Sequence, residues 1–284
     1  MTFITQPNSI GIYPTQPNSA GVYPTPFPNV TQAIYQPAAT LAKPTTPTTL
    51  SEAFKPKRAG KNKSHIIFVL DDSGSMQSCR DNTINGFNEY LKAQQEDAKE
   101  TGIETFVSLY KFDGSSVKCT IDHINVHEVN PLNRNSYDPK GGTNLLDAMG
   151  GVMMQINNKL SAVKKKDRES VIITVLTDGE ENSSRTFRNS DIKTMVEKAE
   201  AKNWGFMFLG ANINAFHAGS ALGFGVNNTM QYNTTGTTNT IRAASAMTSR
   251  MKSAYATGMD TSATYASMGF TDLERTSAVT KDDQ

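Results

Sequence analysis

Two patterns of apolar residues alternate along this chain from Ser64 onward. Short runs, of which residues 66–70 and 171–176 are the clearest, are almost entirely apolar and rich in β-branched side chains. Such runs predict strands that are buried on both faces of a parallel sheet. Between the runs, apolar residues recur three or four positions apart, as Ile84 and Phe87 do, which predicts amphipathic helices. The alternation of strands with helices indicates an α/β domain.

The same patterns extend the prediction to the rest of the domain. They predict further strands at residues 105–112 and 205–209, an antiparallel edge strand at 117–121, and helices at 145–160, 191–202 and 241–255. We therefore predict a doubly wound, mostly parallel sheet with one antiparallel edge strand, in a domain that spans residues 63–258. The pattern fades after Gly258, and residues 259–284 are predicted to form a C-terminal tail.

The first 62 residues show neither pattern. They hold ten of the twelve prolines and few apolar runs, a composition that cannot bury enough surface to form a core, so we predict an extended arm. Residues 5–14 (TQPNSIGIYP) are repeated almost unchanged at 15–24 (TQPNSAGVYP). Two interpretations stay open: a low-complexity leader, or a pair of docking motifs in which Tyr13 and Tyr23 anchor the arm to a multimeric partner.

Charge and composition narrow the choice of partner and compartment. With 28 basic and 27 acidic residues, the chain has no general attraction for nucleic acid or membranes, and its basic segment at 55–63 is interpreted as a solvated linker. No window approaches the roughly 18 apolar residues of a membrane-spanning helix, and residues 1–20 lack the basic start and apolar centre of a secretory signal. We therefore expect a cytoplasmic protein in which Cys79 and Cys119 are ordinary thiols.

Oxygen-bearing side chains follow two of the predicted strands and precede one predicted helix. Asp71, Ser73 and Ser75 come directly after the first strand, Thr143 lies at a helix start, and Asp178 follows a later strand. Because the carboxyl ends of parallel strands meet at one edge of a sheet, we expect these side chains to converge there. Carboxylates and hydroxyls without imidazole or thiolate suit a hard divalent cation, Mg²⁺ first, with Mn²⁺ and Ca²⁺ as further candidates.

The five residues Asp71, Ser73, Ser75, Thr143 and Asp178 resemble the metal-ion-dependent adhesion site (MIDAS) of von Willebrand factor type A (VWA) domains. In that site, Asp-x-Ser-x-Ser is followed by a distant Thr and a distant Asp. The resemblance extends from about residue 64 to about residue 258 and is strongest to short, soluble members from bacteria and phages. It implies a Rossmann-like fold, a bound Mg²⁺, and an open coordination position that a Glu or Asp of a partner protein fills.

An enzymatic function has to be weighed because a strand followed by Asp and Mg²⁺ also occurs in phosphotransferases. Phosphatases of the haloacid dehalogenase type use a second Asp, two residues after the first, as general acid, and position 73 is Ser in this chain. The sequence contains neither a Gly-x-x-x-x-Gly-Lys-Ser/Thr phosphate-binding loop nor a Gly-x-Ser-x-Gly nucleophile elbow. We therefore expect no enzymatic activity.

Several other polar residues, most of them close to the five candidate ligands in the sequence, are not expected to bind the ion themselves. Residues 180–182, Glu-Glu-Asn, are either a solvated loop or a surface that selects the partner. Asp72 is predicted to point away from the ion. Asp113 is interpreted as a turn residue, the alternative being a residue that steadies the site by a hydrogen bond to one of the ligands. His123 and His127 have a spacing that suits metal ligation on a helix, but their apolar neighbours indicate a strand or loop, so this pair is not expected to bind zinc.

Together these patterns predict a non-enzymatic, divalent-metal-dependent protein-binding module behind an extended arm. Two alternatives stay open. One is a structural or assembly protein, for example a component of a phage particle, that attaches through its arm. The other is an adaptor for an AAA-type ATPase, a function that the resemblance to VWA proteins implies.

Overall fold

The computed structural model of the protein describes residues 62–280. In that range the strands are β1 (Lys63–Asp71), β2 (Glu104–Phe112), β3 (Val117–Asn125), β4 (Ser170–Thr177), β5 (Trp204–Ala211) and β6 (Thr229–Tyr232). The helices are α1 (Arg80–Thr101), α2 (Leu145–Ser161), α3 (Asn189–Glu200), α4 (Ala215–Ala221), α5 (Thr237–Ala256), α6 (Thr261–Met268) and α7 (Asp272–Val279). A 3₁₀ turn, Gly74–Cys79, joins β1 to α1 and buries Met76 and Cys79.

Some predictions concern residues that the structure does not describe. The predicted arm, its repeat, Tyr13 and Tyr23 lie outside the described residues, as does most of the basic linker. Among the helices of residues 62–280, none has the length and apolarity needed to cross a bilayer.

The sheet has the strand order β3-β2-β1-β4-β5-β6. Neighbouring strands are parallel throughout, except that β3 runs antiparallel to β2 at one edge. Because β1 lies between β2 and β4 and is covered on both faces, its residues 66–70 are apolar at every position. The predicted fold class, a doubly wound and mostly parallel sheet with one antiparallel edge strand, is confirmed.

Two apolar layers cover the two faces of the sheet. On one face, Phe68 of β1 packs edge-on against Phe87 and Tyr90 of α1, with ring centroids 5.4 and 4.9 Å apart. On the other face, the next residue, Val69, belongs to the layer that Met149 and other α2 side chains form. Successive residues of β1 therefore enter opposite layers, and both layers hold the end of the strand in a fixed position.

Strand β3 is longer and more exposed than the sequence pattern predicts. It continues to Asn125 instead of ending at residue 121, and most of its side chains, including that of Cys119, are exposed. Its pairing with β2 shifts register between Val107 and Tyr110. An exposed edge strand lacks the apolar signal that marks a buried one, which explains why the prediction stopped short.

The segment after residue 258 also contains more structure than its faint pattern predicts. The sequence pattern predicts neither of its two helices, α6 and α7. It also does not predict strand β6, which lies before this segment. Helix α7 packs against α5 and β6, where Arg275 Nη1 donates a hydrogen bond to the Thr229 carbonyl oxygen at 2.6 Å. Ala278 of α7 is fully buried. These helices are short and mostly polar, so their position depends on tertiary contacts and not on periodicity.

A buried ion pair joins helices α1 and α5. The side chain of Lys252 is fully buried, and its Nζ lies 2.5 Å from Asp97 Oδ2. The same Nζ donates a hydrogen bond to Thr105 Oγ1 at 3.2 Å. Burial lowers the pKa of Lys252, and the neighbouring carboxylate of Asp97 opposes that shift.

Candidate metal centre

The loop that follows β1 is held in place by the side chain of Asp71. This carboxylate is buried at the end of the strand, and its Oδ1 accepts a hydrogen bond from the backbone N–H of Ser73 at 2.8 Å. Its Oδ2 accepts a hydrogen bond from Thr177 Oγ1 at 2.6 Å, which ties the loop to the end of β4. The Gly74 N–H donates to the Gly141 carbonyl oxygen at 3.0 Å and so links the loop to the segment before α2.

Ser75 connects the β1 loop with Asp178, the residue that follows β4. Its Oγ donates a hydrogen bond to Asp178 Oδ1 at 2.6 Å and lies 3.1 Å from Ser73 Oγ. The other carboxylate oxygen, Asp178 Oδ2, is buried and has no hydrogen-bond partner among the described residues. A buried acceptor without a partner destabilises the fold, and a cation at this position would satisfy it.

Burial also changes the protonation of the two carboxyl groups. Loss of water raises the pKa of Asp71 to about 6, although hydrogen bonds from Ser73 and Thr177 oppose the rise. Burial likewise raises the pKa of Asp178, against the effect of its hydrogen bond from Ser75. Both shifts disfavour the charged forms, and a neighbouring cation would favour them again.

Thr143 lies beside the same space, immediately before α2. A Cβ atom placed on Gly179 would lie 3.5 Å from Ser75 Oγ and 3.6 Å from Thr143 Oγ1, so these two hydroxyls flank one point. Thr143 is buried, and Asn144 is the residue that precedes the first helical position, Leu145. The structure therefore brings all five sequence-predicted ligands to the carboxyl-terminal edge of the sheet.

The segment after β4 folds back on Thr143 and fixes its position. Asn182 Oδ1 accepts a hydrogen bond from the Thr143 N–H at 3.0 Å. The Thr143 carbonyl oxygen accepts hydrogen bonds from the N–H groups of Asn182 and Ser183, at 3.1 and 3.0 Å. Glu181 Oε2 accepts a hydrogen bond from the N–H of Leu146, in the first turn of α2, at 3.0 Å. Glu181 and Asn182 are thus positioning residues, a role that no pattern in the sequence predicts.

Known proteins match this chain in structure but not in sequence. A scan against models of protein families and a search of curated protein sequences found no match. A search of solved structures did find matches. One is the pilus adhesin SpaC from Lactobacillus rhamnosus GG, with a TM-score of 0.50 and 12% identity over 66% of this chain and 31% of that chain.

Two other solved structures carry the names of the domain and of the motif. The proximal thread matrix protein 1 from the mussel byssus, with a zinc-occupied MIDAS motif, has a TM-score of 0.41 and 13% identity over 60% of this chain and 41% of that chain. The SpRpn10 VWA domain has a TM-score of 0.39 and 8% identity over 59% of this chain and 86% of that chain. The chain therefore spans less than half of the length of the mussel protein.

The strand order and the antiparallel edge strand match the predicted fold, and the likeness to SpaC concerns the fold as well. The described domain has the von Willebrand factor type A fold. At such low identities the likeness concerns the fold alone, and the neighbours do not single out the bacterial and phage members that the sequence resembles.

The donor atoms of the VWA domain at this edge of the sheet are all oxygens. Two carboxylates and three hydroxyls converge there, a set that suits a hard divalent cation better than a thiolate- or imidazole-seeking metal. The unpartnered Asp178 Oδ2 and the burial of both carboxylates fit a cation as well. The residues present therefore fit the metal that the resemblance implies.

Two residues near the ligands, Asp72 and Asp113, have the positions predicted for them. Asp72 turns away from the site, with Oδ2 3.2 Å from Lys111 Nζ. Asp113 lies in a turn, where its Oδ1 accepts hydrogen bonds from the N–H groups of Ser115 and Ser116 at 2.7 and 2.9 Å. Glu180 is exposed at the rim of the site.

The histidine pair also has the predicted local structure. His123 lies on β3 and His127 in the turn that follows it, so the pair is not presented on a helix. His123 lies instead beside His65 and Glu169. No spacing rule connects these three residues, because they are distant in the sequence and only the sheet brings them together.

Proposed function

We propose that the VWA domain is a non-enzymatic, divalent-cation-dependent protein-binding module. The observation that carries this proposal is the convergence of buried oxygen donors at the carboxyl-terminal edge of the sheet, with Ser75 Oγ 2.6 Å from Asp178 Oδ1. The residues that would hold the cation are Asp71, Ser73, Ser75, Thr143 and Asp178. Mg²⁺ is the cation we propose, since the ligand set is small and consists of oxygens only.

The charge of the ligand set explains why the site would recruit a partner. Two carboxylates and three neutral hydroxyls balance the charge of a divalent ion at most, and less if Asp178 contacts it through water. An ion held in this way attracts a further anionic ligand. A Glu or Asp of a partner protein supplies that ligand, and the bound cation contributes the electrostatic attraction.

The first test measures whether binding depends on the cation. The full chain is used to capture proteins from its native source with Mg²⁺, with EDTA, and with Mg²⁺ restored after EDTA. We expect a partner that is captured with Mg²⁺, lost with EDTA and recovered on restoration, and that the Asp178→Ala variant does not capture. A partner that binds equally well with EDTA and to the Asp178→Ala variant would show that the domain binds through another surface.

A second candidate function rests on the repeated segments at residues 5–14 and 15–24. Repeats that each carry one Tyr suit attachment to a multimeric partner, as in an assembly protein. Deletion of residues 1–61 separates the two functions. Loss of all association would favour attachment through the arm, whereas association that survives and still requires Mg²⁺ would favour the metal site.

Asn182 offers a test of the positioning role described above. We expect Asn182→Ala to weaken Mg²⁺ binding by roughly tenfold to a hundredfold, because the N–H of Thr143 loses the side chain that orients it. Isothermal titration calorimetry measures the affinity directly. Glu180→Ala is the matched control, since Glu180 is exposed two residues earlier and should leave the Mg²⁺ affinity unchanged. Equal affinities for all three proteins would refute the positioning role.

A further inference from the structure

A second group of metal-ligand side chains lies at the opposite end of β1. His65, His123 and Glu169 each place one ligand atom within 4.8 Å of the other two. His65 Nδ1 lies 3.3 Å from Glu169 Oε1, and His123 Nε2 lies 3.1 and 3.0 Å from the two carboxylate oxygens. His65 is six residues before Asp71 on the same strand, or roughly 20 Å away at about 3.3 Å per residue. The two groups are therefore independent.

The fold brings these residues together from two strands and the segment before a third. His65 is the third residue of β1, and Glu169 directly precedes β4, the parallel neighbour of β1. His123 comes from β3, which is separated from β1 by β2. The backbone of His123 has a φ of 53°. This left-handed conformation is unfavourable for most residues, although His adopts it more readily than many others do. The His123 ring stacks on the ring of Phe106, with centroids 4.3 Å apart.

Neighbouring groups hold His65 in a position suited to ligation. Its side chain is 2% exposed, so it cannot rotate into solvent. Its Nε2 lies 2.8 Å from Ser108 Oγ, which also accepts a hydrogen bond from the His123 N–H at 2.9 Å. Histidines that bind metals through one ring nitrogen nearly always hydrogen-bond through the other. Ser108 therefore leaves Nδ1 of His65 directed at Glu169.

We propose that His65, His123 and Glu169 form a Zn²⁺ site at the amino-terminal edge of the sheet. Two imidazoles and one carboxylate are a ligand set of zinc, and zinc bonds of 2.0–2.1 Å to a tetrahedral ligand set place the donors about 3.3 Å apart. The observed separations of 3.0–3.3 Å from Glu169 are close to this value. The His123 side chain is 39% exposed, so water reaches the fourth coordination position.

Two cations lie near the cluster. Glu169 stabilises the charge of Lys63, whose Nζ pairs with Glu104 Oε2 at 2.6 Å. Lys159 of α2 lies close enough to disfavour positive charge on both histidines. Its Nζ is 2.5 Å from Asp122 Oδ1, and this ion pair offsets its repulsion of a metal ion. The competing explanation is a metal-free cluster in which Glu169 accepts hydrogen bonds from the two rings. The two explanations differ in whether the residues bind zinc.

The test titrates Zn²⁺ into the full chain after the first site has been removed. The Asp71→Asn variant is stripped of metal, supplied with excess Mg²⁺ and titrated with Zn²⁺ by calorimetry. We expect one Zn²⁺ per chain. Adding His123→Asn should weaken this binding at least tenfold, because Asn tolerates the left-handed backbone at this position but lacks the imidazole. Adding His127→Asn instead is the control and should leave the affinity unchanged, because His127 is outside the cluster.

A second variant and a second metal complete the test. Glu169→Gln removes the charge with little change of shape, and it should also weaken Zn²⁺ binding at least tenfold. Co²⁺ in place of Zn²⁺ should give the strong visible absorption of a tetrahedral site in the Asp71→Asn variant, and His123→Asn should abolish it. The proposal is wrong if the Asp71→Asn variant binds no Zn²⁺. It is equally wrong if both cluster variants keep the Zn²⁺ affinity of their parent.

Discussion

We expect the Asp71→Asn substitution to abolish the rise in melting temperature that Mg²⁺ gives the wild-type protein. A ligand that binds only the folded state at a hundredfold excess over its Kd stabilises that state by about 2.7 kcal/mol. For a domain of this size, each kcal/mol corresponds to a shift of about 2–4 °C. The variant loses this shift because the cation loses one of its two charged ligands. Differential scanning fluorimetry with and without Mg²⁺ measures it.

The choice of Asn keeps the loop intact, so the effect can be assigned to the metal. The Asn side-chain oxygen can still accept the hydrogen bond from the Ser73 N–H, and its amide can donate to Thr177 Oγ1, reversing the present direction of that bond. The metal-free variant should therefore melt no lower than the metal-free wild-type protein. Asp72→Asn is the matched control, since Asp72 faces Lys111. A full Mg²⁺ shift in Asp71→Asn, or its loss in Asp72→Asn, would contradict the proposed ligand set.

The second large effect is expected at the buried ion pair between α1 and α5. Lys252→Met should destabilise the fold by roughly 3–5 kcal/mol, because it leaves the carboxylate of Asp97 in a largely buried position without its cation. Chemical denaturation of the metal-free protein measures the free energy of unfolding. Mg²⁺ binding should be unaffected in the remaining folded protein, since the pair lies in the helix layer and not at the metal loop.

A double substitution separates the effect of the Lys252 charge on stability from the effect of its side-chain packing. Lys252→Met combined with Asp97→Leu removes both charges, and apolar replacements of a buried ion pair are often neutral or stabilising. We expect the double variant to regain most of the stability that the single variant loses. A double variant that is as unstable as Lys252→Met would show that the methylene packing of Lys252, and not its charge, is what the fold requires.

Strands β1 and β4 and the metal centre could be predicted, because their positions in the fold leave a signal in the local sequence. Strands β1 and β4 are buried on both faces, so their central residues, 66–70 and 171–176, are almost entirely apolar and stand out in the sequence. Strand β1 ends in Asp71 and Asp178 directly follows β4, and parallel strands bring their carboxyl ends to one edge. Strand position and ligand type are both local properties of the sequence, and together they predict where the metal centre lies.

Other parts could not be predicted, because their signals are purely tertiary. The carboxylate of Glu181 and the amide of Asn182 look like those of any solvated loop until the loop folds back on Thr143. His65 appears in the sequence as the first part of a strand, and only the sheet shows that Glu169 lies next to it. Nothing in the sequence of α7 marks it as packing against the edge strand β6, since Ala278 is its one buried residue.

The 3₁₀ turn between β1 and α1 provides the protein with an intrinsic chemical reporter. Cys79 ends this turn, four residues after Ser75, and burial raises the pKa of its thiol to about 11, whereas Cys119 is exposed on β3. Partial burial also raises the pKa of the Cys119 thiol, but a thiol-specific alkylating reagent can reach this exposed residue directly, whereas it reaches Cys79 only when the turn opens. The ratio of the two labelling rates measures how often the metal loop unlocks, without any label having to be engineered.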